Sequence, residues 1–155
     1  MGFDLVGKNL DDSYQPDAPS IFDVSINISG RTYKNLDEYL EACGLPKNTI
    51  RFSCSNRYWH TIWGFVQFAS QKVDSEYKFL GTETDFEMGG LNNGHYINET
   101  LANSIVTCCL NGFENNLFDK YMDEYSVSDH DKSNYLDMIE RFIQFCGKSG
   151  GFSIF

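Results

Sequence analysis

Hydrophobic and polar positions in this chain recur at two periods, and the clearest pattern lies between Phe52 and Gln71. From Trp59 onward, Trp59, Ile62, Trp63, Val66 and Ala69 fall at spacings that place them on one stripe of an α-helix. A second stripe of Tyr58, Thr61, Phe65 and Phe68 widens the apolar face beyond what a surface helix needs. The segment is therefore expected to be a central helix packed on two sides, with Ser55 or Asn56 capping its start. What remains, Arg57, His60, Gly64, Gln67 and Gln71, forms a polar strip that either meets solvent or lines a cavity.

Upstream, Phe3-Asp4-Leu5-Val6 alternates partly up to Gly7 and suits a short strand. Lys8 to Ser20 is polar, carries Pro16 and Pro19, and reads as a loop. Phe22, Val24, Ile26 and Ile28 alternate with polar residues as in a half-buried strand, and Ser29-Gly30 suits a hairpin turn into Arg31-Thr32-Tyr33. A short helix follows, with Asn35 as its cap, Glu38 completing a capping-box-like pair, Leu36, Tyr39 and Leu40 on its apolar side, and Gly44 and Pro46 stopping it. Thr49 to Cys54 reads as a strand leading into the central helix.

Between Lys72 and Gly94 no firm period emerges beyond a candidate strand at Tyr77–Leu80, and Met88 to Gly94 reads as an exposed, glycine-rich loop. Asn98 can cap a helix whose face of Leu101, Ile105 and Cys108 runs to Asn111-Gly112, where a break or bend is expected. A further helix from Glu114 to Tyr125 turns Leu117, Phe118, Tyr121 and Met122 inward. After a polar loop from Ser126 to Ser133, the last helix buries Tyr135, Met138, Ile139, Phe142 and Cys146. Phe152–Phe155 has strand character and is expected to pair beside the first strand. Strands and helices mixed without regular alternation indicate an α+β fold. The expectation is one domain over residues 1–155, with a small mixed or antiparallel sheet that includes both termini packed against four to five helices.

Composition narrows the function classes. With 12 basic and 22 acidic residues the net charge is −10, which disfavours direct binding to nucleic acid or to anionic membranes. Neither a signal segment nor an apolar run of roughly 20 residues is present, so a cytoplasmic chain is expected. The five cysteines, at 43, 54, 108, 109 and 146, form no C-x-x-C pair and read as reduced thiols. The three histidines, at 60, 95 and 130, have no ligand spacing around them, so neither a metal nor a cofactor is expected. Cys54 near His60, and Ser149 before Gly150-Gly151, lack the base and orienting carboxylate of a nucleophilic site. The common glycine-rich phosphate loops do not occur.

The polar hot spot is the segment Asn92, Asn93, Gly94, His95, Tyr96, which precedes a helix start where backbone N–H groups favour an anion. Arg57, Tyr58 and His60 add a guanidinium and aromatic faces, so these residues together could hold a planar, anionic ligand in one pocket. The competing reading makes His95 a packing residue and the tryptophans plain core. His130, within Ser128-Asp129-His130-Asp131, reads as a solvated loop residue. From Gly112 to Glu140 eight carboxylates stand against Lys120 and Lys132, either as a solvated outer face or as an acidic surface for a partner.

Four pieces resemble, in order, a family of small uncharacterised proteins widespread in bacteriophages and bacterial genomes. They are Met1 to Gly7, Phe52 to Val66 with its tryptophans, Asn92 to Ile97, and Phe142 to Phe152. This chain departs from the family at Ser53, where Arg is usual, and at His60-Thr61, where Arg-Pro is frequent. Residues 11–49 look like an insertion. The cysteine-rich insert of some relatives is absent, so no metal role follows from the resemblance. The resemblance implies an accessory protein of phage type acting inside a bacterial cell, many of which counter host defence. The expected function is a non-catalytic binding protein that sequesters a nucleotide-like signal. The alternatives are an acidic inhibitor of a host protein and an enzyme acting on a nucleotide or phosphorylated metabolite.

Overall fold

A computed structural model describes residues 2–11, 26–28, 30–44 and 48–155. In chain order the elements are β1 (Gly2–Leu10), β2 (Ile26–Ile28), β3 (Arg31–Tyr33), α1 (Leu36–Ala42), β4 (Thr49–Ser55), α2 (Asn56–Lys72), α3 (Glu83–Gly89), β5 (His95–Asn98), α4 (Glu99–Glu114), α5 (Leu117–Glu124), α6 (Asp129–Ser149) and β6 (Gly151–Ile154). The class is α+β, as the sequence implies. The expected strand residues Phe22 and Val24, the turn residue Ser29, and Pro16, Pro19 and Pro46 lie outside the described residues.

Four strands form an antiparallel sheet in the order β4-β1-β6-β5, so the first and last strands pair with each other. Register sets Leu5 between Phe52 and Ile154, and Ile97 opposite Phe152, so these five apolar residues, one or two from each strand, share the inner face. β1 continues past Gly7, where a stop was expected, because that glycine answers a packing need. A Cβ on it would lie 2.5 Å from the Ile50 side chain. β2 and β3 form a separate antiparallel ribbon leading into α1. Asn35 caps α1 by accepting from the Glu38 backbone N–H, while the Glu38 carboxylate accepts from the Lys34 N–H. Leu40 and Tyr39 of α1 pack with Phe155 and Val6 on the outer face of the sheet.

The helical layer is built around α2, as its two apolar stripes require. Trp59, Ile62, Trp63, Phe65, Val66 and Ala69 are all buried, and Ser55 rather than Asn56 supplies the cap. The two indoles stack at 5.5 Å with their planes 17° apart. Each also has its N–H satisfied: Trp59 Nε1 donates to the Gly89 carbonyl at 2.9 Å, and Trp63 Nε1 to the Phe86 carbonyl at 2.8 Å.

Both acceptors belong to α3, a helix the sequence pattern did not predict. It starts with a capping box between Thr82 and Asp85. Its Gly89 is buried rather than looped out, because a Cβ there would lie 2.3 Å from the Trp63 ring. The strand expected at Tyr77–Leu80 is absent; the segment is a 3₁₀ turn at Ser75–Tyr77 followed by extended chain. Its backbone donors go to serines on two helices, Phe79 N–H to Ser70 Oγ and Leu80 N–H to Ser104 Oγ.

Downstream, α4 runs through Gly112 instead of breaking there. Gly112 is buried against Phe65 and Ala69, so the residue permits close helix approach. The break falls at Asn116, in the left-handed region at φ +57°, and α5 is shorter than expected as a result. Ser128 caps α6, which moves His130 from the expected loop into an exposed first turn. Among the described residues, α3 brings the helices to six, against the four to five expected. Among the described residues, no helix is long and apolar enough to cross a membrane.

Candidate functional site

The polar strip of α2 divides into parts with different surroundings. Arg57 and His60, on its first two turns, line a hollow of about 540 Å³ whose other walls come from α5, the turn after it, and the first turns of α6. Tyr121, Tyr125 and Tyr135 provide aromatic walls, while Ser128 and Asp131 provide a polar rim at the α6 N-terminus. Gly64, further along the strip, marks where α5 docks. A Cβ there would sit 2.4 Å from the Tyr121 hydroxyl, which donates to the Thr61 carbonyl at 3.2 Å.

Arg57 is fixed at its base and open at its tip. Its Nε donates to the Tyr135 hydroxyl at 2.9 Å, and the guanidinium carbon lies 5.9 Å from the centre of the Tyr135 ring. Asp131 lies 3.8 Å from Nη2, a loose pairing, and 71% of the Arg57 side chain is exposed. The Tyr135 hydrogen bond, then the negative charge of Asp131, holds the guanidinium above its ordinary value, so it stays cationic. Tyr121 is the opposite case. Burial pushes its hydroxyl up to about 12, with Tyr125 and Tyr135 adding to the effect, so it stays a neutral donor. His60 is exposed and sets its ring edge-on to Phe3 at 5.9 Å. Tyr58 stands behind the site, edge-on to Tyr135 at 5.3 Å, as a support for that ring.

The loop residues lie elsewhere. His95 Nε2 meets Asp85 Oδ1 at 2.9 Å, and both side chains are largely buried, so His95 ties β5 to α3. Asn93 closes the turn by accepting from the His95 N–H at 3.1 Å. Asn92 is exposed beside it. Tyr96, on the outer face of β5, lines a different groove formed with β1, β6 and α1. The seven expected site residues therefore do not share one pocket: Arg57 and His60 line the hollow, Tyr58 backs it, and Asn92, Asn93, His95 and Tyr96 belong to the β5 side. The register explains this, since α2 follows one edge strand, β4, and the loop leads into the other, β5.

Sequence reasoning missed Tyr125, Ser128 and Asp131 as site residues and assigned Tyr121 and Tyr135 to the core. One signal was available. Tyr121 and Tyr125 stand one helical turn apart just before a capping serine, which presents two ring faces beside a helix N-terminus. Among the described residues no group of three or more His, Cys, Asp and Glu could hold a metal ion. What the arrangement offers is a cationic fork, three phenol rings and hydroxyl donors around one concave surface. No family model, no curated protein and no solved structure matches this chain.

Proposed function

We propose that this chain is a non-catalytic binding protein whose hollow between α2, α5 and α6 takes a small, planar, anionic ligand of nucleotide type. The observation that carries the reading is Arg57, anchored by its Nε to Tyr135 and open to solvent at the edge of a tyrosine-walled hollow. A base ring would stack against Tyr125 or Tyr135, and phosphate would meet the Arg57 guanidinium and His60. Asp131 opposes a highly charged ligand and favours one whose base donates hydrogen bonds. The resemblance to phage-borne proteins supports the setting: an accessory protein that interferes with a host process by sequestering a nucleotide-like signal.

Thermal melting against linear and cyclic nucleotides, cyclic dinucleotides and ADP-ribose derivatives tests this. Saturation at about 100 times Kd should stabilise the fold by roughly 2.7 kcal/mol. Arg57→Ala and Tyr125→Ala should lose the shift with little change in the unliganded Tm, because both side chains are mostly exposed. The compound should be recovered unchanged; a chemically altered compound would make the chain an enzyme.

A second reading, an inhibitor that docks on a host protein, draws on the acidic surface of α5 and α6. Asp119, Asp123, Glu124, Asp129, Asp137 and Glu140 are all exposed there. Absence of any melting shift across the panel, together with capture of one basic host protein that Asp137→Lys/Glu140→Lys abolishes, would favour it.

A further inference from the structure

On the outer face of the sheet, far from α5 and the start of α6, lies a groove of about 360 Å³. Val6, Leu40 and Phe155 form apolar walls, and Ser153 of the central strand β6 contributes to its lining. At the β4 side stand two polar residues, Thr49 and Lys8. The β1–β4 register pairs Thr49 with Leu10, two positions from Lys8, so the two lie near the same end of the groove.

Thr49 is the unusual member. Its side chain is buried, and its Oγ1 has no hydrogen-bond partner among the described residues, an arrangement that native proteins mostly avoid. Lys8 is exposed, and the ion pairs among the described residues engage Arg51, Arg57, His95, Lys132 and Arg141 but not Lys8. An apolar trough that ends in an unsatisfied hydroxyl and an ammonium group suits a molecule with an apolar body and one anionic end.

We propose that this groove binds a small monocarboxylate with a medium-length alkyl chain. The chain lies along Val6, Leu40 and Phe155, and the carboxylate accepts from the Thr49 hydroxyl and pairs with Lys8. The site is separate from the hollow, and the inference does not depend on the nucleotide reading.

Calorimetric titration of the full chain with hexanoate, octanoate and decanoate tests it. One-site binding should tighten about fourfold for each added methylene until the groove is filled. Octanol should bind roughly tenfold more weakly than octanoate, because it lacks the charged acceptor. Thr49→Val should weaken octanoate binding about fivefold and also raise Tm, since it removes a hydroxyl that the unliganded fold leaves unsatisfied. Ser153→Trp should abolish binding by filling the groove.

The proposal is overturned if decanoate shows no saturable binding at millimolar concentration, or if affinity is indifferent to chain length. It is also overturned if Ser153→Trp keeps a native circular dichroism spectrum and binds octanoate like the unaltered chain. Should that variant not fold, Lys8→Gln and Thr49→Val decide the matter, and unchanged octanoate affinity in both overturns it.

Discussion

Gly64 stands in the interior of α2, where glycine ordinarily costs about 1 kcal/mol relative to alanine. Propensity alone would make Gly64→Ala stabilising. The Tyr121 hydroxyl reverses the sign, because a Cβ would lie 2.4 Å from it while it donates to Thr61. Gly64→Ala should therefore destabilise the fold by roughly 1–3 kcal/mol in urea denaturation, the range of an overpacked core. Tyr121→Phe in the same chain should recover most of that loss, because it removes the colliding oxygen. Full additivity of the two changes would show that they do not meet.

Asp85 gives a pH signature. Burial pushes the Asp85 carboxyl up, but the Thr82 backbone N–H, the His95 ring and the Thr82 hydroxyl together outweigh it, and the net shift is below the ordinary 3.8. A carboxylate with a depressed folded-state pKa contributes stability that is present above its unfolded value and lost as pH falls through the folded one. The Tm of the unaltered chain should thus fall more steeply below about pH 4 than that of Asp85→Asn, which lacks this carboxylate's contribution. Parallel acid profiles for the two proteins would contradict the assignment.

At the scale of elements, α5 is bracketed by two non-glycine residues with left-handed backbone, Asn116 at φ +57° and Ser126 at φ +53°. Asparagine tolerates this region and serine does so poorly. Ser126 also lines the hollow. Ser126→Gly should raise stability by about 1 kcal/mol, or roughly 2–4 °C in Tm for a domain of this size. No gain would mean that the serine side chain offsets its own strain.

The elements also show what a sequence makes legible. α2, α4 and α6 were readable because their apolar residues repeat at the helical period over many turns. β6 was readable because an apolar strand has to be covered, and it pairs beside β1 as expected. Three of the misses share one cause, which is glycine. Gly7, Gly89 and Gly112 look locally like punctuation, yet each is a contact point where Ile50, Trp63, or Phe65 with Ala69, arrives from elsewhere in the chain. Local pattern cannot separate a glycine that ends an element from one that admits a neighbour. The site failed for a related reason. Arg57 and His60 line one hollow, but its walls come from α5 and α6, and no spacing near Arg57 encodes which helices will face it. His95 attracted notice as a polar group at a turn, and its partner proved to be Asp85 within the fold.

For the whole molecule, the cysteines divide by burial. Cys43 is exposed and Cys54, Cys108, Cys109 and Cys146 are buried. Burial pushes the Cys54 thiol up to about 12 and Cys108 up to about 11, and lifts Cys109 and Cys146 well above the ordinary thiol range. A thiol reagent should therefore consume one equivalent quickly from the native chain, with the other four reacting only as it opens. Rapid reaction of a second thiol would place a lower-stability unit inside what is drawn as one core.

The stacked pair of Trp59 and Trp63 makes the core visible without a label. Two indoles stacked this closely are expected to share their excitation, with a paired positive and negative band in ultraviolet circular dichroism as the signature to look for. Because α3 supplies both carbonyl acceptors, the departure of that single helix would shift tryptophan emission to longer wavelength while most of the amide signal persisted. The chain thus carries its own spectroscopic gauge of whether α3 leaves first.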